Sequence, residues 1–390
     1  MNASKRSVSG PLIHLPMMRV AGLFLGLLLV ACSTTPEPAE SVNATACQVI
    51  YDAGSSGTQL YIYQQTASGW VRHKGPKMPA LADPARSNRE KTMADAEAVT
   101  DTIVVAMTDI RRDGPAGKDG SPRWRAFDWR TECHLENVAV YATAGMRLAE
   151  RDNPADSALL WALLNQKLSA VLEMKVTTRT LTGFEEGVFA WLATREEQVD
   201  GYFGIAEMGG VSAQISFPCT ECDTSRLVGV QGVDIPMISL SFLGLGQDEA
   251  WKDQANHSEC LRGVGLKKAD WRVADCSDDI EIPENVGQMV RRNVKLATVR
   301  RWYLTGAFGY SEYTDIDNYC RHNIDSGYQA ETSCFRAVYQ PYFLNSLGVP
   351  LSSESGDVDW TLGAVICKVS DCLAKAGPPE CQWSSHGCAK

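Results

Sequence analysis

Beyond residue 31 the chain has no apolar stretch long and charge-free enough to cross a bilayer, so the remainder lies outside the membrane. No glycine loop is followed by Gly-Lys-Ser/Thr, which removes a Walker-type phosphate loop. The 6 histidines are scattered without ligand spacing, and Cys219-Thr-Glu-Cys222 has no second Cys-x-x-Cys to complete a zinc site. A disulfide reading of that pair is therefore favoured. A cationic excess is also missing. Lys and Arg number 37 against 47 Asp and Glu, and the net charge of −10 argues against nucleic acid as a partner. An acidic chain can still bind nucleotides where cations and local N–H groups neutralise the phosphates.

What is present is a motif used twice. Residues 52–58 read Asp-Ala-Gly-Ser-Ser-Gly-Thr, and residues 207–214 read Glu-Met-Gly-Gly-Val-Ser-Ala-Gln. Each places an acid, then glycine two positions on, at the bend of an apolar hairpin. Cys47–Tyr51 and Gln59–Tyr63 flank the first bend; Tyr202–Ala206 and Gln214–Phe217 flank the second. Glycines allow successive N–H groups to point at one anion, and the acid beside them can hold a hydrated cation against it. A single glycine-serine hairpin is ordinarily just a turn. Two with the same acid placement point to a phosphate chain gripped from both sides.

The N-terminus sets the expected compartment. Arg19 precedes the apolar run Ala21–Ala31, too short to span a bilayer and suited to a signal-peptide core, with Met17 or Met18 a possible start. Leu29-Val30-Ala31-Cys32 resembles a bacterial lipobox, which implies cleavage before Cys32 and lipid on its sulfur. Residues 1–31 are then signal and 32–45 a flexible tether. The expected location is extracytoplasmic and lipid-anchored, at the outer membrane, in the periplasm or at the cell surface; Ser33 lacks the aspartate tied to inner-membrane retention. Of 13 cysteines, 12 remain after Cys32, an even number suited to an oxidising compartment. Sequence does not assign the connectivity; sequence-near pairs such as Cys260–Cys276 and Cys320–Cys334 are guesses.

The mature chain of about 350 residues exceeds one ordinary core and suggests two lobes. Helical periodicity is expected over Arg86–Met107, Asp156–Met174, Phe184–Glu197 and Val286–Leu304, with a buried strand at Val138–Ala142. Strands interleaved with helices, and one hairpin motif used twice, indicate an α/β protein of two related halves.

Five stretches taken in order resemble the apyrase motifs of the nucleoside triphosphate diphosphohydrolase family. They are 52–58, Ala142-Thr-Ala-Gly-Met-Arg-Leu148, Gly183-Phe-Glu-Glu-Gly-Val-Phe-Ala-Trp191, 207–215, and Asp357-Val-Asp-Trp-Thr-Leu-Gly-Ala364. The segment Ser241-Phe-Leu-Gly-Leu-Gly-Gln-Asp-Glu-Ala250 is also similar to that family. The resemblance implies an actin-like (ASKHA) α/β fold of two ribonuclease-H-like lobes with an interlobe nucleotide cleft. Lobe I would hold 46–182 plus 351–390, and lobe II 183–350. It further implies metal-dependent hydrolysis of terminal phosphates from nucleoside tri- and diphosphates by direct attack of water.

Residue roles carry over by position. Glu186 matches the catalytic base, which must accept a proton as water attacks phosphorus. Its neighbour Glu185 lies about 100° away on a helix, so only one of the two can face the cleft. Ser212 and Gln214 match the residues that orient the water, two apart on one side of a strand. Ser55, Ser56, Gly57 and Thr58 would wrap the phosphates from one lobe, Gly209 and Gly210 from the other. Thr143, Ala144 and Gly145 add N–H groups, and Arg147 either touches phosphate or braces the loop. Asp52 and Glu207 would hold a divalent cation, Mg²⁺ or Ca²⁺ with Mn²⁺ as a further option, mostly through its water. Tyr310 and Tyr313 are the candidate base-stacking residues.

Two positions depart from the family. The fourth motif ordinarily begins with Asp rather than Glu207, and an extra methylene should shift the shell of a cation that demands near-octahedral geometry. Gln59 stands where Arg is frequent, leaving phosphate charge to other groups. Competing readings are a polyphosphate or alarmone phosphatase of the actin-like group, and a nucleotide-binding module without turnover. Intact Glu186, Ser212 and Gln214 argue against the latter.

Overall fold

The computed structural model describes residues 44–86, 93–108, 111–113, 124–197, 202–253, 260, 271–278, 280, 282, 284–297, 299–310, 315–322, 330–377, 382–384 and 387–389. The signal segment, the lipidation candidate Cys32 and nearly all of the tether lie outside them. Among the described residues no helix is long and apolar enough to cross a membrane.

Two mixed sheets organise the chain. The first contains β1 (Thr45–Ala53), β2 (Thr58–Thr66), β3 (Gly69–Met78), β4 (Arg111–Asp113), β5 (Trp124–Ala126), β6 (Cys133–Ala142) and β7 (Thr177–Thr180), in the order β5-β4-β3-β2-β1-β6-β7. Parallel pairing of β1 with β6 and of β6 with β7 requires crossovers, and helices supply the long one between β6 and β7. The second sheet contains β8 (Gly204–Met208), β9 (Ser212–Pro218), β10 (Arg226–Val230), β11 (Val233–Leu243), β12 (Trp302–Gly306), β13 (Glu354–Ser355), β14 (Gln382–Ser384) and β15 (Gly387–Ala389). Its order is β13-β12-β8-β9-β11-β14-β15, with β10 paired to β11. Both expected hairpins are present, as β1–β2 and β8–β9.

The interior strands read as their burial demands. Val49, Ile50 and Tyr51 are all buried although they alternate between faces, because both faces of the sheet are covered. One face packs into a lobe-one core with Leu160, Leu164 and Leu168 of the Pro154–Leu172 helix. The other meets a central layer containing the Gly183–Glu197 and Trp360–Ser370 helices, Trp191 and Phe203. The second sheet's far face builds its own core with Phe335, Tyr339 and Phe343 of the Ser333–Leu347 helix.

The two central helices approach very closely. A Cβ on Gly363 would lie 1.8 Å from the Phe189 carbonyl oxygen, so only glycine fits that crossing. On its other side, the Gly183–Glu197 helix rests on a ladder of small polar side chains. Ser212, Gln214 and Ser216 of β9 alternate with Ala213, Ile215 and Phe217, and Ser216 pairs with Ser239 while Gln214 pairs with Ser241 on β11. Cβ atoms on Gly183 or Gly187 would collide with Ser241, or with Ser239 and Ser216. The i, i+4 glycines thus form a flat helix face that lies on the hydroxyls.

One expectation needs correction. Val286–Leu304 is not one helix: it ends at Ala297, and Trp302, Tyr303 and Leu304 form β12. Two aromatics among three buried residues pair in parallel with β8, so strand burial outweighs the helical periodicity. In the second sheet β13 extends β12, while β14 and β15 extend the sheet beyond β11.

Among the described residues five disulfides are formed: Cys47–Cys133, Cys219–Cys222, Cys260–Cys276, Cys320–Cys334 and Cys367–Cys372. Both sequence-near guesses are among them, and the Cys-x-x-Cys pair is a bridge.

Candidate active site

The two glycine loops meet. A Cβ on Gly210 would lie 2.6 Å from Ser55 Oγ and 2.6 Å from Asp248 Oδ2, so the turn after β8 faces the turn after β1 at hydroxyl-contact range. Gly145 packs on the Ser55 backbone, where a Cβ would lie 3.0 Å from Ser55 Cα. The second motif opens the Ala144–Asp152 helix after Thr143, whose N–H donates to the Ala53 carbonyl at 3.3 Å. The first N–H groups of that helix have no intrahelical partner, and they start beside the loop. The Gly244–Asp248 segment braces the other side: Gln247 N–H donates to the Gly209 carbonyl at 3.0 Å and Asp248 N–H to Gly210 at 2.7 Å.

Glu185 and Glu186 divide as helix geometry requires. Thr182 and Glu185 form a capping box, with Glu185 N–H on Thr182 Oγ1 at 3.2 Å and Thr182 N–H on Glu185 Oε2 at 2.8 Å. Arg179 clamps the same carboxylate at 2.7 and 2.9 Å. Glu185 therefore caps the helix. Glu186 turns inward, where Arg147 Nη2 donates to its Oε2 at 2.5 Å, with both side chains nearly buried at 2% and 8% exposure.

Arg147 is the hub. Nη2 also donates to Ser212 Oγ at 3.1 Å, and Nη1 donates to Ser241 Oγ at 3.0 Å. Gln214 Nε2 donates to Ser212 Oγ at 2.6 Å and to Ser241 Oγ at 3.1 Å. Ser212 Oγ thus accepts two hydrogen bonds, leaving its own O–H as a donor to something else. Gln214 Oε1 is buried without a partner. The residues nominated as base and water-orienters are brought together, and the arginine left open between two roles braces them.

Four carboxylates interact across the site. Burial pushes the Asp52 carboxyl well up, reinforced by the negative charges of Asp359 and Glu186. Burial does the same to Glu207, with Glu186, Asp52 and Asp359 adding to it. Burial raises Glu186 too, but the Arg147 guanidinium opposes it. Asp52 Oδ1, Glu207 Oε2 and Thr58 Oγ1 are buried without a hydrogen-bond partner. Orphaned anionic oxygens among like charges call for a cation or proton. Among the described residues no three His, Cys, Asp or Glu side chains converge to ligate one ion directly. The orphaned oxygens of Asp52 and Glu207 are the groups here with the chemistry to hold a cation.

Several site residues escaped the sequence reading. Asp359 caps the Trp360–Ser370 helix through Thr361 N–H at 3.0 Å and pairs with Arg72 at 3.4 Å, while its charge reaches Asp52 and Glu207. It lies inside the fifth motif, so the signal was present but the role was not. Ser241 lies in the Ser241–Ala250 segment, though nothing local marks its hydroxyl as part of the Arg147 network. Of the base-stacking candidates, Tyr313 lies outside the described residues, and Tyr310 is described only as the last backbone position of the Ala307–Tyr310 turn.

Known proteins resemble this chain in sequence and fold. The model of the GDA1/CD39 (nucleoside phosphatase) family matches residues 130–262. The chain is 22% identical over 429 residues to nucleoside-triphosphatase ntp-1 of Caenorhabditis elegans, covering 85% of this chain and 75% of that protein. It is 27% identical over 261 residues to human ectonucleoside triphosphate diphosphohydrolase 2, covering 60% and 48% respectively, so the match spans about half of that relative's length. Among solved structures, the Aquifex aeolicus PPX-GPPA enzyme superposes with a TM-score of 0.50 at 12% identity, over 82% of this chain and 99% of that one. That likeness supports the actin-like α/β architecture of two lobes and the fold alone. The match spans the second to fourth motifs, so residues 130–262 are similar to the GDA1/CD39 (nucleoside phosphatase) family, as the curated relatives also are in name.

Proposed function

We propose that this protein is an enzyme that hydrolyses the terminal phosphates of nucleoside tri- and diphosphates, with the substrate chain held between the loops 52–58 and 207–214. The observation that carries this reading is the convergence of Glu186, Arg147, Ser212 and Gln214 beside two orphaned acid oxygens. Glu186 is the general base. Arg147 occupies Oε2 and opposes the upward push of burial on the carboxyl, and Oε1 is the oxygen that takes the proton from attacking water. Ser212 O–H and Gln214 Oε1 supply one donor and one acceptor to orient that water. Asp52 and Glu207 hold a hydrated divalent cation, which when bound neutralises phosphate oxygen charge. Ser55–Thr58, Thr143–Gly145, Gly209 and Gly210 cradle the phosphates.

Phosphate release from ATP, ADP, AMP and polyphosphate, with and without divalent metal, tests this. Turnover of ATP and ADP that requires metal is the expected pattern. Activity confined to polyphosphate would replace the reading with a polyphosphatase, and nucleotide binding without any release would leave a binding module.

We infer further that the chain is exported and anchored through lipid on Cys32. The apolar run ending in Leu29-Val30-Ala31-Cys32 and the five disulfides among the described residues support this. Loss of membrane partitioning in Cys32→Ala is the expected result; unchanged partitioning would refute it.

A further inference from the structure

Gln59 cannot serve the phosphates. Its Nε2 donates to the carbonyls of Gly75 at 2.6 Å, Pro76 at 3.3 Å and Leu60 at 3.3 Å, where the β2–β3 register shifts. The amide stitches two strands together, turned from the loop it follows. Directly across from Gln59 on β3 is Lys77.

Lys77 reaches the loop instead. A Cβ on Gly57 would lie 2.7 Å from Lys77 Cε and 3.6 Å from Lys77 Cγ. The aliphatic stem therefore crosses Gly57, and the ammonium one bond beyond Cε belongs to the rim of the Ser55–Thr58 turn. Lys77 is exposed, and its ammonium makes no ion pair or hydrogen bond with a described residue. Its positive charge acts on the Asp52 carboxyl against the neighbouring acids. A flexible, uncommitted cation at the mouth of a loop lined with hydroxyls and N–H groups suits a mobile polyanion.

We propose that Lys77 is a substrate-binding residue that supplies, from β3, the positive charge for the phosphate chain that Gln59 does not provide. The inference rests on the nucleotidase reading. Binding of an imido-bridged ATP analogue to the full chain, with divalent metal, is measured by calorimetry at about 50 and 300 mM salt. Lys77→Met weakens binding by about five- to twentyfold at the lower salt, an exposed charge-assisted contact being modest. Lys77→Arg stays within about twofold, and the salt dependence flattens in Lys77→Met because one screened attraction is gone. Because the side chain is exposed, unfolding midpoints should match across the three proteins. Wild-type affinity and salt dependence in Lys77→Met would overturn the role of Lys77 while leaving the nucleotidase reading intact. Failure of the wild type to bind the analogue would overturn both.

Discussion

Replacing Arg147 with Met removes the charge but keeps much of the side-chain volume. In the native protein the guanidinium touches Glu186, Ser212 and Ser241, and the ion pair is almost wholly buried. At an effective dielectric of about 20 and a separation of about 4 Å, opposite charges attract by ~4 kcal/mol. Breaking one side of a buried pair is expected to cost ~3–5 kcal/mol, because the remaining charge is left uncompensated. Glu186 can limit the loss by taking up a proton. Without Arg147 its folded pKa rises further above the unfolded value, since burial remains and so do the negative neighbours. A raised carboxylate binds more protons folded than unfolded, so stability falls as pH climbs through the folded value. Urea unfolding followed by tryptophan fluorescence should show a deficit of ~3–5 kcal/mol near pH 8 that shrinks towards pH 5. Adding Glu186→Gln to the variant should restore at least ~1 kcal/mol, the signature of two coupled sites. A variant within ~0.5 kcal/mol of wild type at both pH values, or strictly additive losses in the double variant, would refute the hub role.

Three more outcomes are expected. Glu186→Gln should lose at least about a hundredfold in turnover while keeping nucleotide affinity; near-normal phosphate release would remove Glu186 as the base. Glu207→Asp, by shortening one arm beside the orphaned oxygens, should change the order of preference among Mg²⁺, Ca²⁺ and Mn²⁺, and identical metal profiles would show that the methylene is irrelevant. Cys47 and Cys133 join residues 86 apart, and replacing both with Ala should lower stability by ~4–5 kcal/mol on chain-entropy grounds. An unchanged urea midpoint would mean that the unfolded chain gains no freedom.

Some choices within the site follow from local chemistry. The glycine loops announce themselves because tight turns with exposed N–H groups need glycine wherever they occur. Helix geometry sends adjacent side chains about 100° apart, so only one of Glu185 and Glu186 could face the cleft, and the family resemblance pointed to Glu186. The polar alternation of Ser212, Gln214 and Ser216 likewise follows from strand period. Local pattern failed at 302–304, where burial against β8 turned an apparent helix into β12.

By itself the sequence determined the paired loops, the α/β class and the acid placement, and it pointed to three of the five bridges among the described residues. The tertiary structure alone decided that Arg147, 39 residues from Glu186 and 94 from Ser241, ties them into one buried network. It also decided that Asp359 shares the electrostatics of Asp52 and Glu207, that Gln59 is spent on backbone carbonyls, and that Lys77 crosses Gly57. The physical reason is that turn chemistry and periodicity are properties of neighbouring residues. Charge neutralisation in a buried cleft depends on which distant strands the fold brings together.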